Sequence, residues 1–230
     1  MLENRAPAAS ATVHRVRAAT RANAAVGHPL SPGEQATMIA AATRKLEELF
    51  DIFQIDHGQD PHTCDTPCRV AKMFVNELMR GRFSEPPDIT EFKNVAPDGQ
   101  LIITGPIEVR STCAHHLLPI YGQAFIGIMP GPDGSVVGLS KYDRIVAYFA
   151  ARLQIQEELV NQIGDFIMAK TAPRGLAVRI SAVHMCKTHR GVLGGHDSRM
   201  VTSAYFGAMT GDQDAKNEFS RECLALSPAR

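Results

Sequence analysis

The chain has 230 residues, 44% hydrophobic and 21% charged, enough apolar content for one compact domain with an extension or for two small domains. Lys plus Arg equals Asp plus Glu at 24 each and Trp is absent, which argues against a general nucleic-acid binder and against a stacking platform for bases. No stretch reaches the roughly 18 apolar residues of a membrane span, and five cysteines, an odd set, point to reduced thiols or metal ligation in the cytoplasm rather than to a disulfide framework.

Residues 1–32 are rich in Ala, Arg, Ser and Pro and have no sustained apolar period, so they read as a disordered extension. The excess of Arg5, Arg15, Arg17 and Arg21 over Glu3 keeps a targeting peptide as the alternative. A helix is expected to begin at Ser31-Pro32-Gly33-Glu34, with Met38, Ala41, Leu46, Leu49, Phe50 and Phe53 at helical spacing. After a polar loop, His57 to Asp65, Thr66 is expected as an N-cap with Pro67 at the first helical position. That helix carries Val70, Met73, Phe74 and Leu78 on one face and groups Arg69 with Lys72 on another. Residues 81–100 read as loop.

Strands follow. Ile107 and Val109 alternate with Glu108 and Arg110, and Ile120 to Met129 is apolar on both faces. Pro130 to Gly134 is a turn, and Val136 to Leu139 reads as a short returning strand. Two helices come next, one with Val146, Phe149, Ala150 and Leu153, the other with Leu159, Val160, Ile163 and Ile167. Strands near 176–186 and 200–209 and a short terminal helix complete an α+β order. The division expected is an extension over 1–32 and a catalytic domain over 33–230, with N-terminal helices in 33–82 and a sheet core in 100–222.

Cys113-Ala114-His115-His116 sets a thiol and an imidazole three positions apart just after a strand, a spacing that suits one tetrahedral ion. His184 and Cys186 are two apart at a strand end, so strand alternation points both to one face. Three outcomes remain open for this set: unliganded core residues, a closed structural zinc site with four protein ligands, or a catalytic site with three. Cys64 and Cys68 flank a helix start and read as structural or incidental.

Ser140 with Asp143 three residues on resembles a capping box. Lys141 and Arg144 in the first turn oppose the helix dipole, which makes sense opposite a phosphate and otherwise describes a solvated basic turn. Gln156, Glu157 and Glu158 open the next helix; a carboxylate there either reads the N1–H and 2-amino pattern of guanine or is an ordinary first-turn acid. Arg190-Gly191 brings another cation near Cys186.

Taken together, residues 34 to 222 resemble type I GTP cyclohydrolase. The matching stretches are Asp65 to Met73, Ser111 to Pro119, Gly138 to Lys141, Arg144 to Val146, Gln154 to Glu157, His184 to Cys186, and Arg190-Gly191. The resemblance implies a tunnelling fold, with an antiparallel sheet carrying helices on one face, assembled into a toroidal homodecamer with GTP sites at subunit interfaces. It implies zinc held by Cys113, His116 and Cys186 with water fourth, and acid–base work by His115 and His184. Ser140 is implied as a further catalytic-site residue. Glu157 would anchor guanine with Gln156 beside it, and Lys141, Arg144, Arg190, Arg69 and Lys72 would surround the ribose and triphosphate. The implied reaction is hydrolysis of GTP to 7,8-dihydroneopterin triphosphate and formate, opening folate or pterin synthesis, with neither nucleic acid nor membrane as partner. Ala114 stands where the family usually has Glu, and His189 beside Arg190 is unusual and reads as a loop residue. These departures keep two alternatives: a paralogue that stops at a ring-opened formamide, and a silent nucleotide-binding zinc protein.

Overall fold

The computed structural model describes residues 21–94, 100–132 and 135–227. Residues 1–20 of the expected extension, and residues 133 and 134 of the expected turn, lie outside the described residues. The chain divides into two compact units, a helical one that includes Leu30–Val75 and a larger one made of Arg21–Pro29 and Asn76 onward.

In the helical unit, α1 spans Pro32–Ile52 and α2 spans Thr66–Met73. A reciprocal capping box starts α1: Ser31 Oγ accepts from Glu34 N at 3.3 Å, and Glu34 Oε2 accepts from Ser31 N at 2.8 Å. No residue of α1 is buried, and Ile52 and Phe53 near its end are 73% and 62% exposed. The N-cap of α2 is Asp65, one residue before the expected Thr66, and its side chain makes no capping bond. Pro67 still falls in the first turn, where its missing N–H costs nothing.

The larger unit is built on a five-stranded sheet. Its strands are β2 (Ile102–Cys113), β3 (Pro119–Met129), β5 (Leu153–Gln154), β6 (Gly175–His184) and β7 (Arg199–Gly207), in the order β5-β2-β3-β6-β7. All pairs are antiparallel except the short β2–β5 contact, where Thr112 and Cys113 face Leu153 and Gln154. Residues 81–100 are not all loop: Arg80–Phe83 is a helical turn, α3, and Glu91–Lys93 is a strand, β1. The strand expected over Val136–Leu139 is Ser135–Val137, β4, and it pairs with β1 in a separate ribbon instead of returning along β3. Polar, three-residue edge strands such as β1 carry too few alternating positions to stand out in a sequence.

One sheet face packs α4 (Leu139–Ala150) and α5 (Gln156–Thr171). Tyr142, Ile145, Val146, Phe149 and Ala150 of α4 and Leu159, Val160, Ile163 and Ile167 of α5 recur at three and four residues. They meet Ala124, Ile126, Ile128, Leu176, Val178, Ile180 and Ala182 from the strands. Each fully buried aliphatic side chain contributes about 1.5–3 kcal/mol. Gly164 is what lets α5 come this close: a Cβ there would meet the Phe206 ring of β7 at 2.1 Å. Helices do not sit on one face only, as the resemblance implied. The terminal helix α7 (Gln213–Ala225) packs Ala215, Phe219 and Cys223 on the opposite face, against Phe125, Met129 and Ala177. No helix among the described residues is long and apolar enough to cross a membrane.

Within the expected extension, residues 21–26 are tied to the sheet unit. Asn23 is buried at 5% exposure, Arg82 Nη1 donates to the carbonyls of Arg21, Ala22 and Ala24, and Arg152 Nη1 donates to Asn23 O at 3.0 Å. Arg152 is itself buried, lies over the rings of Tyr148 and Phe149, and donates through Nε to Gly81 O.

Candidate active site

The β2–β3 connection is a five-residue turn. Cys113 N donates to Leu118 O at 2.8 Å and Leu117 N donates to Cys113 O at 2.9 Å, with Leu117 in the left-handed region at φ 56°. A bulky residue rarely adopts that conformation, and it is what folds the turn back on itself. Cys113 thus ends β2 buried, while His115 and His116 project from the exposed turn. The adjacent edge is held by Ala114 N donating to Gln154 O at 3.0 Å.

Cys186 arrives from elsewhere in the sheet unit. Ile120 pairs with His184 across β3 and β6, which puts the end of β6 beside the start of β3. His184 is the last strand residue, and Met185–Thr188 is a helical turn, α6. The strand-alternation argument for a shared face of His184 and Cys186 therefore fails. The chain turns helical between them, and it is α6 that aims Cys186.

The outcome is one group: the ligand atoms of Cys113, His116 and Cys186 all lie within 4.8 Å of one another. Donors on a tetrahedral zinc are about 3.5–3.8 Å apart, given bonds of about 2.0–2.3 Å, so a small closure of this group fits the ion. The charge balance fits as well. Burial pushes the Cys186 thiol up and the neighbouring Cys113 sulfur pushes it further, while Arg190 opposes them. Two sulfurs that resist joint ionisation are what a bound cation relieves. No fourth His, Cys, Asp or Glu among the described residues joins the group, and three protein donors is the number found in catalytic zinc sites.

Around this group, His115 Nδ1 lies 3.8 Å from Cys113 Sγ and its ring stands edge-on to His116. His184 Nε2 lies 2.8 Å from Gln156 Oε1. Burial lowers the His184 pKa, the Glu157 charge opposes that shift, and Lys187 reinforces it. The two first-turn acids of α5 have different surroundings. Glu158 accepts from Asn23 Nδ2 at 2.6 Å and lies 3.8 Å from Arg21. The exposed Glu157 carboxylate has no hydrogen bond or ion pair among the described residues, and neither have the side chains of Arg144 and Arg190.

Ser140 does not cap α4. The helix begins at Leu139 with Gly138 as N-cap and no side-chain capping bond, so Ser140 already lies inside the first turn. Lys141 Nζ donates to Asp88 O at 3.1 Å. No hydrogen bond or ion pair among the described residues links the side chains of Ser140, Lys141 or Arg144 to the thiol–imidazole group, and Arg69 and Lys72 lie on α2 in the helical unit. A cavity of about 910 Å³ beside Ile107, Arg110, Leu117 and Tyr121 includes none of the group's residues. Sequence reasoning did not single out Gln154, whose main chain buttresses the turn, or Asn23, which occupies Glu158. The residue types alone carried no signal for either.

Comparison with known proteins accords with this geometry. Residues 42–224 match the family model described as GTP cyclohydrolase I. The chain is 40% identical over 167 residues to "GTP cyclohydrolase 1" of Thermobifida fusca, covering 71% of this chain and 80% of the relative. It is 39% identical over 184 residues to the protein of that name from Wolinella succinogenes, covering 78% and 94%. It is 41% identical over 138 residues to that of Mycobacterium leprae, covering 59% and 67%. With the family model matched across the sheet, the turn and α6 alike, the chain belongs to the GTP cyclohydrolase I family.

Proposed function

We propose that the protein is a zinc enzyme that hydrolyses GTP to 7,8-dihydroneopterin triphosphate and formate, the entry step of folate or pterin synthesis. The observation that carries this reading is the convergence of Cys113, His116 and Cys186 within 4.8 Å in a member of this family. Cys113, His116 and Cys186 would hold the zinc, which would supply an activated water near neutral pH by lowering the pKa of water.

The chain's own residues do the rest. His115, beside the Cys113 sulfur, delivers a proton to N7 of the purine and makes C8 electrophilic. His184 exchanges protons as the imidazole ring opens, formate leaves and the ribose rearranges before closure to the pterin. Glu157, whose carboxylate makes no hydrogen bond or ion pair among the described residues, accepts from N1–H and the 2-amino group, a pattern that adenine lacks. Ser140, Lys141, Arg144 and Arg190 surround the ribose and triphosphate and hold C8 in place. The assembly is a closed homo-oligomer, ten subunits by resemblance, with GTP sites at subunit interfaces. The apolar stripe that α1 leaves open, Ile52 and Phe53 included, is surface of the kind an assembly covers.

Incubating the zinc-loaded protein with GTP tests this reading. A rise in pterin absorbance with one formate per GTP is expected. Intact GTP removes the assignment. Addition of water without loss of formate identifies an enzyme arrested at the ring-opened formamide.

A further inference from the structure

Gln156 is buried at 1% exposure, and its carboxamide is fully engaged by the protein. Nε2 lies 3.2 Å from Ile180 O, 3.1 Å from Met200 O and 3.1 Å from Thr202 Oγ1, while Oε1 lies 2.8 Å from His184 Nε2. Two main-chain carbonyls accept and never donate, so the amide end that faces them must be the NH2. The reverse orientation would set an oxygen against two oxygens and leave the NH2 facing the ring. The neighbours therefore fix the amide, and its oxygen faces His184.

An amide oxygen accepts and never donates either, so His184 Nε2 must carry the hydrogen of that 2.8 Å contact. A neutral imidazole has a single N–H. With it committed to Gln156, the lone pair sits on Nδ1, which makes no hydrogen bond among the described residues. We propose that Gln156 is a positioning residue that locks neutral His184 in its Nε2–H tautomer and so offers Nδ1 as the base, rather than a residue that reads guanine. The proposal rests on the hydrolase reading for what His184 does. Its structural half, which nitrogen carries the proton, stands apart from turnover.

Three supports make the lock stiff. Gln156 opens α5, and Ile180 on β6 and Met200 and Thr202 on β7 hold its far end. Ile180 and Thr202 face each other in the β6–β7 register, so the amide bridges paired strands, and its orientation cannot change without breaking contacts on both. A side chain saturated in this way has no N–H left for a base.

The test is nitrogen-15 NMR of histidine-labelled, zinc-loaded protein at pH 8, with His184 assigned from the signal lost in a His184→Asn sample. A protonated-type Nε2 and a bare-type Nδ1 are expected. A proton on Nδ1, or an even mixture of tautomers, overturns the proposal. The wild-type spectrum decides this even if variants misfold. Gln156→Met, which keeps the length and removes both amide functions, is expected to mix the tautomers and lower kcat about 100-fold, within the usual span of a general-base contribution, with the KM for GTP little changed. A raised KM with unchanged His184 signals would return Gln156 to base reading and overturn the lock. A wild-type protein with Nε2–H that leaves GTP intact would overturn the hydrolase reading instead.

Discussion

Glu157 and Glu158 are adjacent acids in one helical turn, and the structure gives them different surroundings: Glu158 meets Asn23 and Arg21, and the Glu157 carboxylate is the one proposed to hold guanine. Replacing Glu157 by Gln keeps size and shape but leaves one oxygen and one NH2 where guanine presents two donors. One charge-assisted hydrogen bond is lost, at about 1.5–3 kcal/mol, and the NH2 now faces an N–H, for a total of about 3 kcal/mol. At 1.36 kcal/mol per tenfold, kcat/KM for GTP falls about 150-fold. Glu158→Gln disturbs only contacts to Asn23 and Arg21; Arg21 is largely exposed, so the cost stays below about 1 kcal/mol and kcat/KM moves less than about threefold. The assay is initial-rate kinetics on GTP and on inosine triphosphate, which lacks the 2-amino group. Wild type should prefer GTP strongly, and Glu157→Gln should shrink that preference while Glu158→Gln preserves it. Equal losses in both variants, or an unchanged GTP preference in Glu157→Gln, would refute the assignment.

Arg152→Ala leaves the Gly81 and Asn23 carbonyls without their buried donor and opens the space between Tyr148 and Phe149, costing about 3–5 kcal/mol. Roughly 10 °C of melting temperature should be lost by circular dichroism at fixed protein concentration, and a change under about 1 °C would contradict this. Burial pushes the Cys223 thiol up to about 11 from 9.0, so the fold favours its neutral form. The stability it contributes is intact below about pH 9 and lost, by up to roughly 3 kcal/mol, as pH climbs through about 11; urea midpoints of Cys223→Ala should lack that alkaline decline. Gly164→Ala drives a methyl into the Phe206 ring and should cost about 1–3 kcal/mol in the same melts. His115→Ala should stop formate release yet retain one metal per chain by elemental analysis, whereas Cys186→Ser should lose the metal.

Much of this fold is legible in the sequence. The apolar spacing in α4 and α5 and the alternating, then doubly apolar, runs of β2 and β3 gave the elements their type, because burial on one face writes a period into the chain. Cys113 and His116 were legible from their spacing. The resemblance groups Cys186 with them, and the structure brings the three together, but strand alternation is the wrong physical route to it, since periodicity cannot show where a strand gives way to a single helical turn. Ser140 misled because a hydroxyl one residue inside a helix looks, in sequence, like one at its edge. Arg152 was invisible: a buried guanidinium satisfied by carbonyls and aromatic faces has the composition of a solvated charge. Asn23, in a stretch with little to bury, is held through distant arginines that no local pattern announces.

For the proposed zinc enzyme, the pairing of Ile120 with His184 would make metal retention a gauge of alignment between two neighbouring strands. A slip of one residue between β3 and β6 would swing His184 to the reverse side of the sheet and carry α6 about 3.3 Å along, out of reach of the turn that holds Cys113 and His116. Gly122, where any side chain would strike Ser181 O, lies two positions from that pairing and guards the same alignment. Bound metal per chain, measured across a library of sheet variants, would thus score strand alignment with no substrate added.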